Sequence, residues 1–514
     1  MEALYSLLHS LTSPEWKAFQ NYLTCFTDYN PAHLKQLHLA KMLSEKVKCP
    51  TSDECCIALY ATKKSKGFKM LKSRLKEKLH EFLLCDISDE RPEGLDEADY
   101  ATIKIKTKSA LFQKLHYSKT RTNYFNELLD EIIQLGKEYE HYSSLVDHLR
   151  LKKSFTGFKV GTKEFETISR EIEKYWKLHR MVYLSEHYYH QLIALGDFSS
   201  RPDDKRVSAF FKKAIPELEI YYWETKSPTI KYHLTFLKLG FHSHCRDYMR
   251  SRSICLELLG IVRNNKSVYR RQRIGIVYDN LSHYEFHIGR YRQAAEWAHE
   301  AQKYFNAGSE NYCIALEQEF YALYAMKRFD KAVEAANKML TSASREELGE
   351  FRCSKYNYLL ANVLFKQGRF KDAFHLLSQE RDFSEDKAGW ETGARTLTIM
   401  TLIEFGKSDE AGLAVRSLKQ FFKRTGKKDP IGLRDKKILN LLLILERKGF
   451  DFTLVKGAGD KYLKPLSSND QLLQWKPFTH EVIPFHQWFE GKMNVKKRLT
   501  SLAEQHPKEK YQRV

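Results

Sequence analysis

Ala294, Ala332, Ala373 and Ala411 recur at spacings of 38, 41 and 38 residues. Three residues before each stands an aromatic or small side chain: Tyr291, Phe329, Phe370 and Ser408. Five residues before three of them stands a glycine, at Gly289, Gly368 and Gly406, and Lys327 takes that place in the remaining copy. No other feature constrains the fold as much. A unit of this length cannot bury its apolar face alone and must stack on copies of itself. The pattern predicts one helix ahead of each glycine and another behind it. Glycine suits the left-handed residue that ends the first helix. Small side chains at positions such as Ala294, Ala298 and Ala301 let the two backbones approach, and the aromatic plugs the gap between neighbouring helices. Leu316, Leu323, Ala336 and Met339 repeat the pattern, as do Leu360, Ala361, Leu364 and Leu377, then Val415 and Leu418. After Gly449 the second helix does not follow it, as expected of a terminal cap.

The rest of the 514 residues is consistent with helix. Hydrophobic residues make up 42% and charged residues 29%, the balance of a folded chain and not a disordered one. Gly (23) and Pro (12) are scarce, so breakers are few. The net charge of +20 suits an acidic partner, such as nucleic acid, an anionic membrane or an acidic protein, and equally suits a solubilising surface. Nine cysteines, an odd number without a C-x-x-C, are expected to be reduced thiols. The start, MEALYSLLHSLTSPEW, lacks the basic and apolar regions of a signal peptide. The apolar run around Ile444 falls well short of the ~20 residues of a membrane span. A cytoplasmic protein with no membrane span is expected.

Four regions follow. Residues 1–90 read as a small helical domain. Thr12 and Glu15 have capping-box spacing, Pro14 is tolerated in the first turn of its helix, and Asn30-Pro31 marks a turn into a third helix. Phe68, Leu71, Leu75, Leu79 and Phe82 form one apolar stripe, and eight basic residues stand against Glu77 between Lys63 and Lys78. This is a basic amphipathic helix. Residues 91–272 read as degenerate helical repeats, preceded by an acidic linker over 86–96 and interrupted by a loop at 199–204. Residues 273–425 hold the clear repeats, and 426–514 a C-terminal helical cap and tail.

The order of glycine, aromatic, alanine and final small residue resembles the tetratricopeptide repeat family, well over 273–425 and weakly over 100–272. The units here run four to seven residues longer than the family's 34 and lack its proline after the second helix. The resemblance implies an all-α fold: a right-handed α-solenoid of helix pairs, here with a small helical N-terminal domain. The N-terminal S-L-T-S-P-E-W-K-A-F and the later K-x-L-K-x-x-L are also similar to the leaders of uncharacterised repeat proteins of Bacteroidota, which implies a bacterial source and no activity.

In that family the first helix of each pair lines the concave surface. The resemblance therefore assigns to a partner groove Asp279, His283 and His287, then Glu317, Tyr321 and Tyr324, then Tyr358, Asn362 and Lys366, then Thr396, Met400 and Glu404. The family's chaperone-type carboxylate clamp wants lysine and asparagine in the first repeat, where this chain has Asp279 and His283. Asn362 and Lys366 remain candidates to hold a peptide backbone or carboxylate.

Signatures of catalysis and metal binding are missing from the sequence. There is no G-x-x-x-x-G-K-[ST]. Gly457-Ala458-Gly459 follows a helix and reads as a turn. His480-Glu481 starts like a zinc-protease helix, but His486 is misplaced and Pro484 breaks the helix. His187 and His190 are two ligands where zinc needs three or four, and His242, His244 and Cys245 crowd a loop. No cofactor, no metal and no enzymatic activity are expected. Lys69, Lys72, Arg74 and Lys76 are candidate phosphate contacts, or else a solvated helix face. The 29 Tyr and 31 Phe fill gaps between helices, or in part anchor a peptide. Two functions are therefore expected: a non-enzymatic scaffold binding a protein or peptide in its concave groove, or a nucleic-acid-associated regulator using the basic N-terminal module.

Overall fold

The computed structural model describes residues 1–25, 32–46, 48–85, 91, 94–117, 124–156, 162–196, 205–342, 345–383, 386–426, 431–468, 470 and 472–494. The turn at Asn30-Pro31, the loop at 199–204 and most of the acidic linker lie outside them. The described secondary structure is all helical. The chain divides into two compact units, one of residues 1–137 with 147–161 and one of 138–146 with 162–514.

The first unit opens with helices α1 (Glu2–His9), α2 (Ser13–Thr24), α3 (Ala32–Ser44), α4 (Ser52–Tyr60) and α5 (Lys66–Cys85). Thr12 and Glu15 form the capping box that starts α2, and Thr51 with Glu54 forms a second one on α4. The five-residue stripe of α5 is buried in a core it shares with Leu4, Phe19, Leu39 and Leu43. Then come α6 (Glu97–Tyr117), α7 (Tyr124–Glu138) and α8 (Tyr142–Thr156). Ile105, Phe112, Leu128, Leu129 and Ile132 make a second cluster between α6 and α7.

The second unit continues as α9 (Thr162–Ala194), α10 (Lys205–Thr225), α11 (Pro228–His244), α12 (Tyr248–Asn264), α13 (Arg271–His287) and α14 (Tyr291–Gln302). Next are α15 (Glu310–Ala325), α16 (Phe329–Thr341), α17 (Arg345–Lys366, broken at Gly349), α18 (Phe370–Leu377), α19 (Thr392–Glu404) and α20 (Ser408–Thr425). The unit closes with α21 (Leu433–Arg447), a 3-10 turn at Phe452–Val455 and α22 (Asp460–Leu466). From α12 onward each helix packs mainly on the ones before and after it, as a solenoid of helix pairs requires.

One turn is used six times among the described residues. Arg246, Gly289, Lys327, Gly368, Gly406 and Gly449 all have φ between 57° and 87°. In each case the next residue's N–H donates to the carbonyl five positions back, at 2.8 to 2.9 Å, which is the long bond of a Schellman cap. Lys327 therefore adopts the backbone conformation that glycine adopts in its sister turns. At Arg246 the turn leads to Tyr248 and to Ser251, which has no exposed surface, in the places of the aromatic and the alanine. The repeat thus starts one pair earlier than the sequence pattern, at α11 and α12. Beyond Gly449 the second helix is replaced by the 3-10 turn and α22.

Ala294, Ala332, Ala373 and Ala411 have no exposed surface, in keeping with close approach of paired helices. The aromatic three residues earlier does something other than plug a gap between neighbouring helices. Tyr291 lies against Phe286, Phe329 against Tyr324, and Phe370 against Phe365, with ring centroids 5.0 to 5.7 Å apart. Each staples its own turn, and none of the three is fully buried.

The turn yields a paired test. Lys327→Gly removes the left-handed penalty of an L side chain and is expected to stabilise the second unit by about 1 kcal/mol. Gly368→Ala introduces that penalty and is expected to cost about 1 kcal/mol or more. Thermal melts of the two variants should move in opposite directions.

Candidate functional site

Of the side chains assigned to the partner groove, His283, His287, Tyr321, Tyr358, Thr396, Met400 and Glu404 meet one covering segment. The covering is the chain's own C-terminal segment, an irregular stretch over 472–484 followed by a short helix at 485–494. Phe478 sits among four rings: Tyr321 at 4.5 Å, Phe286 at 4.7 Å, His283 at 5.5 Å and His287 at 5.6 Å between centroids. Further along, the Tyr358 hydroxyl donates to the His480 carbonyl oxygen. Thr396 and Met400 line a small cavity with Tyr358, Asn362 and the segment's Val482 and Phe485. Glu404 accepts from Trp488 Nε1 at 2.7 Å and pairs with Lys492 at 2.5 Å.

The remaining candidates are placed differently. Asn362 is buried and donates to the Tyr358 carbonyl oxygen of its own helix at 2.8 Å, whereas Lys366, one turn on, is exposed. Tyr324 packs on Phe320 and Phe329 at the turn of its own pair. Glu317 is held by Lys355 at 2.6 Å. Asp279 lies one helical turn before His283, and its Oδ1 is buried without a hydrogen-bond partner. Burial, with Glu317 nearby, pushes its carboxyl up to about 7. Burial, helped by Arg246, draws the His287 ring down to about 4, so that ring is neutral at pH 7.

At the other end stands Arg434, on α21. Its guanidinium forks onto Glu481 of the segment, with Nη2 2.7 Å from Oε1 and Nε on Oε2. It also donates to the Leu466 carbonyl at 3.0 Å and to the Leu473 carbonyl, and meets His486 Nδ1 at 3.1 Å. Glu481 in turn accepts from the Phe485 N–H at 2.8 Å. The Trp475 indole donates to the Glu481 carbonyl at 2.7 Å, closing 475–481 into a loop with Phe478 near its tip. His480 Nε2 lies 3.0 Å from Asp435 Oδ1. Burial opposes a charge on that ring, but the Asp435 bond and the carboxylates of Asp435, Glu481 and Asp386 outweigh it and hold its pKa above the ordinary value. Gly393 lets the segment in, since a Cβ there would overlap the His480 carbonyl and lie 2.9 Å from the Tyr358 hydroxyl.

Sequence reasoning passes over Phe478, Arg434 and Gly393, and meets Glu481 only as part of a rejected zinc-protease start. The signal is the run WKPFTHEVIPFHQWF, dense in aromatics beyond the last repeat and far too apolar for a solvated tail.

The candidate phosphate contacts lie on α5 in the first unit. Lys69, Arg74 and Lys76 are exposed and Lys72 is half-buried. Lys69, Lys72 and Lys76 form one stripe, whereas Arg74 stands about 140° around the helix from Lys69. No group of three or more His, Cys, Asp or Glu among the described residues is arranged to hold a metal ion. No described helix is long and apolar enough to cross a membrane.

No family and no curated protein matches the chain. Among solved structures it is similar to a Signal Transduction ATPase with Numerous Domains (STAND) protein with a tetratricopeptide repeat sensor, from Pyrococcus horikoshii. The identity is 11% and the TM-score 0.37, over 84% of this chain and 64% of that one. So loose a likeness says nothing of activity, and this chain spans less than two thirds of that protein's length.

Two measurements probe the clamp. Arg434→Met leaves Glu481 buried without its partner and is expected to cost about 3–5 kcal/mol of C-terminal stability. Amide exchange of Val482–Phe489 should speed up accordingly. For His480, the folded state holds the proton more tightly than the unfolded value of about 6.5. The pair with Asp435 therefore contributes fully below about pH 6.5, and the contribution is lost as pH rises through the raised value. Protection factors at 482–485, with the intrinsic pH dependence of exchange divided out, should fall over that window in the native chain and lose that dependence in His480→Gln.

Proposed function

We propose that the chain is a non-enzymatic, cytoplasmic helical-repeat scaffold of the tetratricopeptide type, binding a protein or peptide partner along its first-helix groove. One observation carries this reading. The groove already receives an irregular peptide segment, taking its aromatic side chain between rings, its carbonyl on a tyrosine hydroxyl and its carboxylate on a forked arginine. A surface that accommodates one extended segment in this way has the chemistry to read another.

Selection of a random displayed-peptide library on the full chain tests it. The expected result is a consensus whose binding falls about tenfold or more in His283→Ala/Tyr321→Ala, as for loss of aromatic hot-spot contacts. Absence of a consensus, or binding indifferent to that double substitution, would overturn the proposal.

The lysine stripe of α5 supports a second reading, a nucleic-acid-associated regulator. Here a fluorescent duplex should bind at about 50 mM salt and weaken steeply towards about 200 mM. Replacing Lys69, Lys72 and Lys76 by glutamine should lower the salt slope by about one per lysine. No binding at the lower salt removes this reading.

A further inference from the structure

The two halves of the C-terminal segment are held very differently. Val482, Ile483, Phe485 and Phe489 belong to the core of the repeats, and Glu481 is locked by Arg434. Trp475 to Thr479 are half-buried or exposed. Within that loop Phe478 has φ +59°, a left-handed conformation that a bulky L residue rarely adopts and that persists only where surrounding structure imposes it. The loop is thus strained and partly solvated, and it is tethered at a firmly fixed base.

Phe478 also satisfies its pocket incompletely. The ring matches the rings of His283, Phe286, His287 and Tyr321, but it offers no hydrogen bond. The Tyr321 hydroxyl is buried without a partner. One turn nearer the start of the same helices, Asp279 Oδ1 is likewise buried and unpartnered, with Glu317 beside it. Glu317 has Lys355, whereas no ion pair to Asp279 is found among the described residues. A ligand better suited to this pocket than Phe478 has an aromatic group and, next to it, a positive charge.

We infer that the Trp475–Thr479 loop is a resident ligand of this pocket, and that the natural partner is a protein segment carrying an aromatic side chain adjacent to lysine or arginine. This rests on reading the first-helix face as a peptide site. The aromatic side chain enters between His283, Phe286, His287 and Tyr321, and the cation pairs with Asp279. The loop lifts away while Glu481 to Phe489 stay in place. Because the loop is tethered, it competes at high effective concentration, and a partner binds only in proportion to the open fraction.

Fluorescence polarisation on the full chain tests this with two labelled peptides. One has the chain's own sequence from Gln474 to Phe485, and the other has that sequence with Thr479→Arg. The Phe478→Ala chain, its pocket vacated, should bind the first peptide at least about tenfold more tightly than the native chain. The arginine peptide should gain about a further tenfold, a gain lost in Phe478→Ala/Asp279→Asn. Equal affinity for the native and Phe478→Ala chains, or no binding to either, overturns the inference. If a library consensus that depends on Tyr321 still emerges in that case, the scaffold reading survives alone. Binding of the first peptide with no gain for the second overturns the partner chemistry and leaves the groove intact. Dimerisation of the native chain that Phe478→Ala abolishes would give the pocket to a second copy, and would also overturn it. Should Phe478→Ala fail to fold, hydrogen exchange on the native chain decides. Excess arginine peptide must accelerate exchange at Trp475–Thr479 and leave Glu481–Phe489 unchanged, and an unchanged loop contradicts the inference.

Discussion

Everything in the second unit depends on how closely two helix backbones can run after one tight turn. The turn requires a residue in the left-handed region, and the helix behind it requires a small side chain one turn in. Six turns meet the first requirement, with glycine at four of them and Arg246 and Lys327 at the others. Where glycine is replaced, the backbone conformation is kept and the strain is absorbed, because the Schellman hydrogen bonds and the buried alanine or serine leave no alternative path. Pairs built this way stack in register, so the first helices present their side chains along a common face. The site is a consequence of the turn.

That face is built from unlike ends. Near α13 and α15 it is aromatic and acidic, with Asp279 Oδ1 buried without a hydrogen-bond partner. Near α21 it is basic, with Arg434 desolvated and paired. A buried arginine with one carboxylate and two carbonyls costs much less than an unpaired one, so the base of the C-terminal segment is fixed there. The aromatic end has no comparable anchor. It is filled by a single strained phenylalanine, which blocks water from the rings without answering the polar groups around them.

Much of the repeat was legible in the sequence, because glycine and alanine report backbone requirements directly. Their recurrence implied the turn at Lys327 even where the glycine was missing. The α11–α12 pair escaped because Arg246 and Ser251 meet the same requirements with residues that carry no such signature. The stapling role of Tyr291 and its equivalents was also hidden, since spacing shows which residues recur but not which way a ring turns. The first-helix positions were found through family resemblance. Their occupant was not, because Phe478 reaches Tyr321 across more than 150 residues of chain and Glu481 reaches Arg434 across 47, and no local periodicity records such contacts. Arg434 belonged to an ordinary amphipathic helix until Glu481 was placed opposite it.

The central claim is that the first-helix face is a peptide site whose aromatic pocket is filled from within and can be vacated. Incorporating 4-fluorophenylalanine at position 478 and recording its fluorine resonance tests both parts. The account predicts a resonance shifted by the rings of His283, Phe286, His287 and Tyr321, which converts to a solvent-like one as a bound partner segment saturates the chain. A solvent-like resonance in the free chain, or a ring-shifted one that is unchanged at saturation, would contradict it.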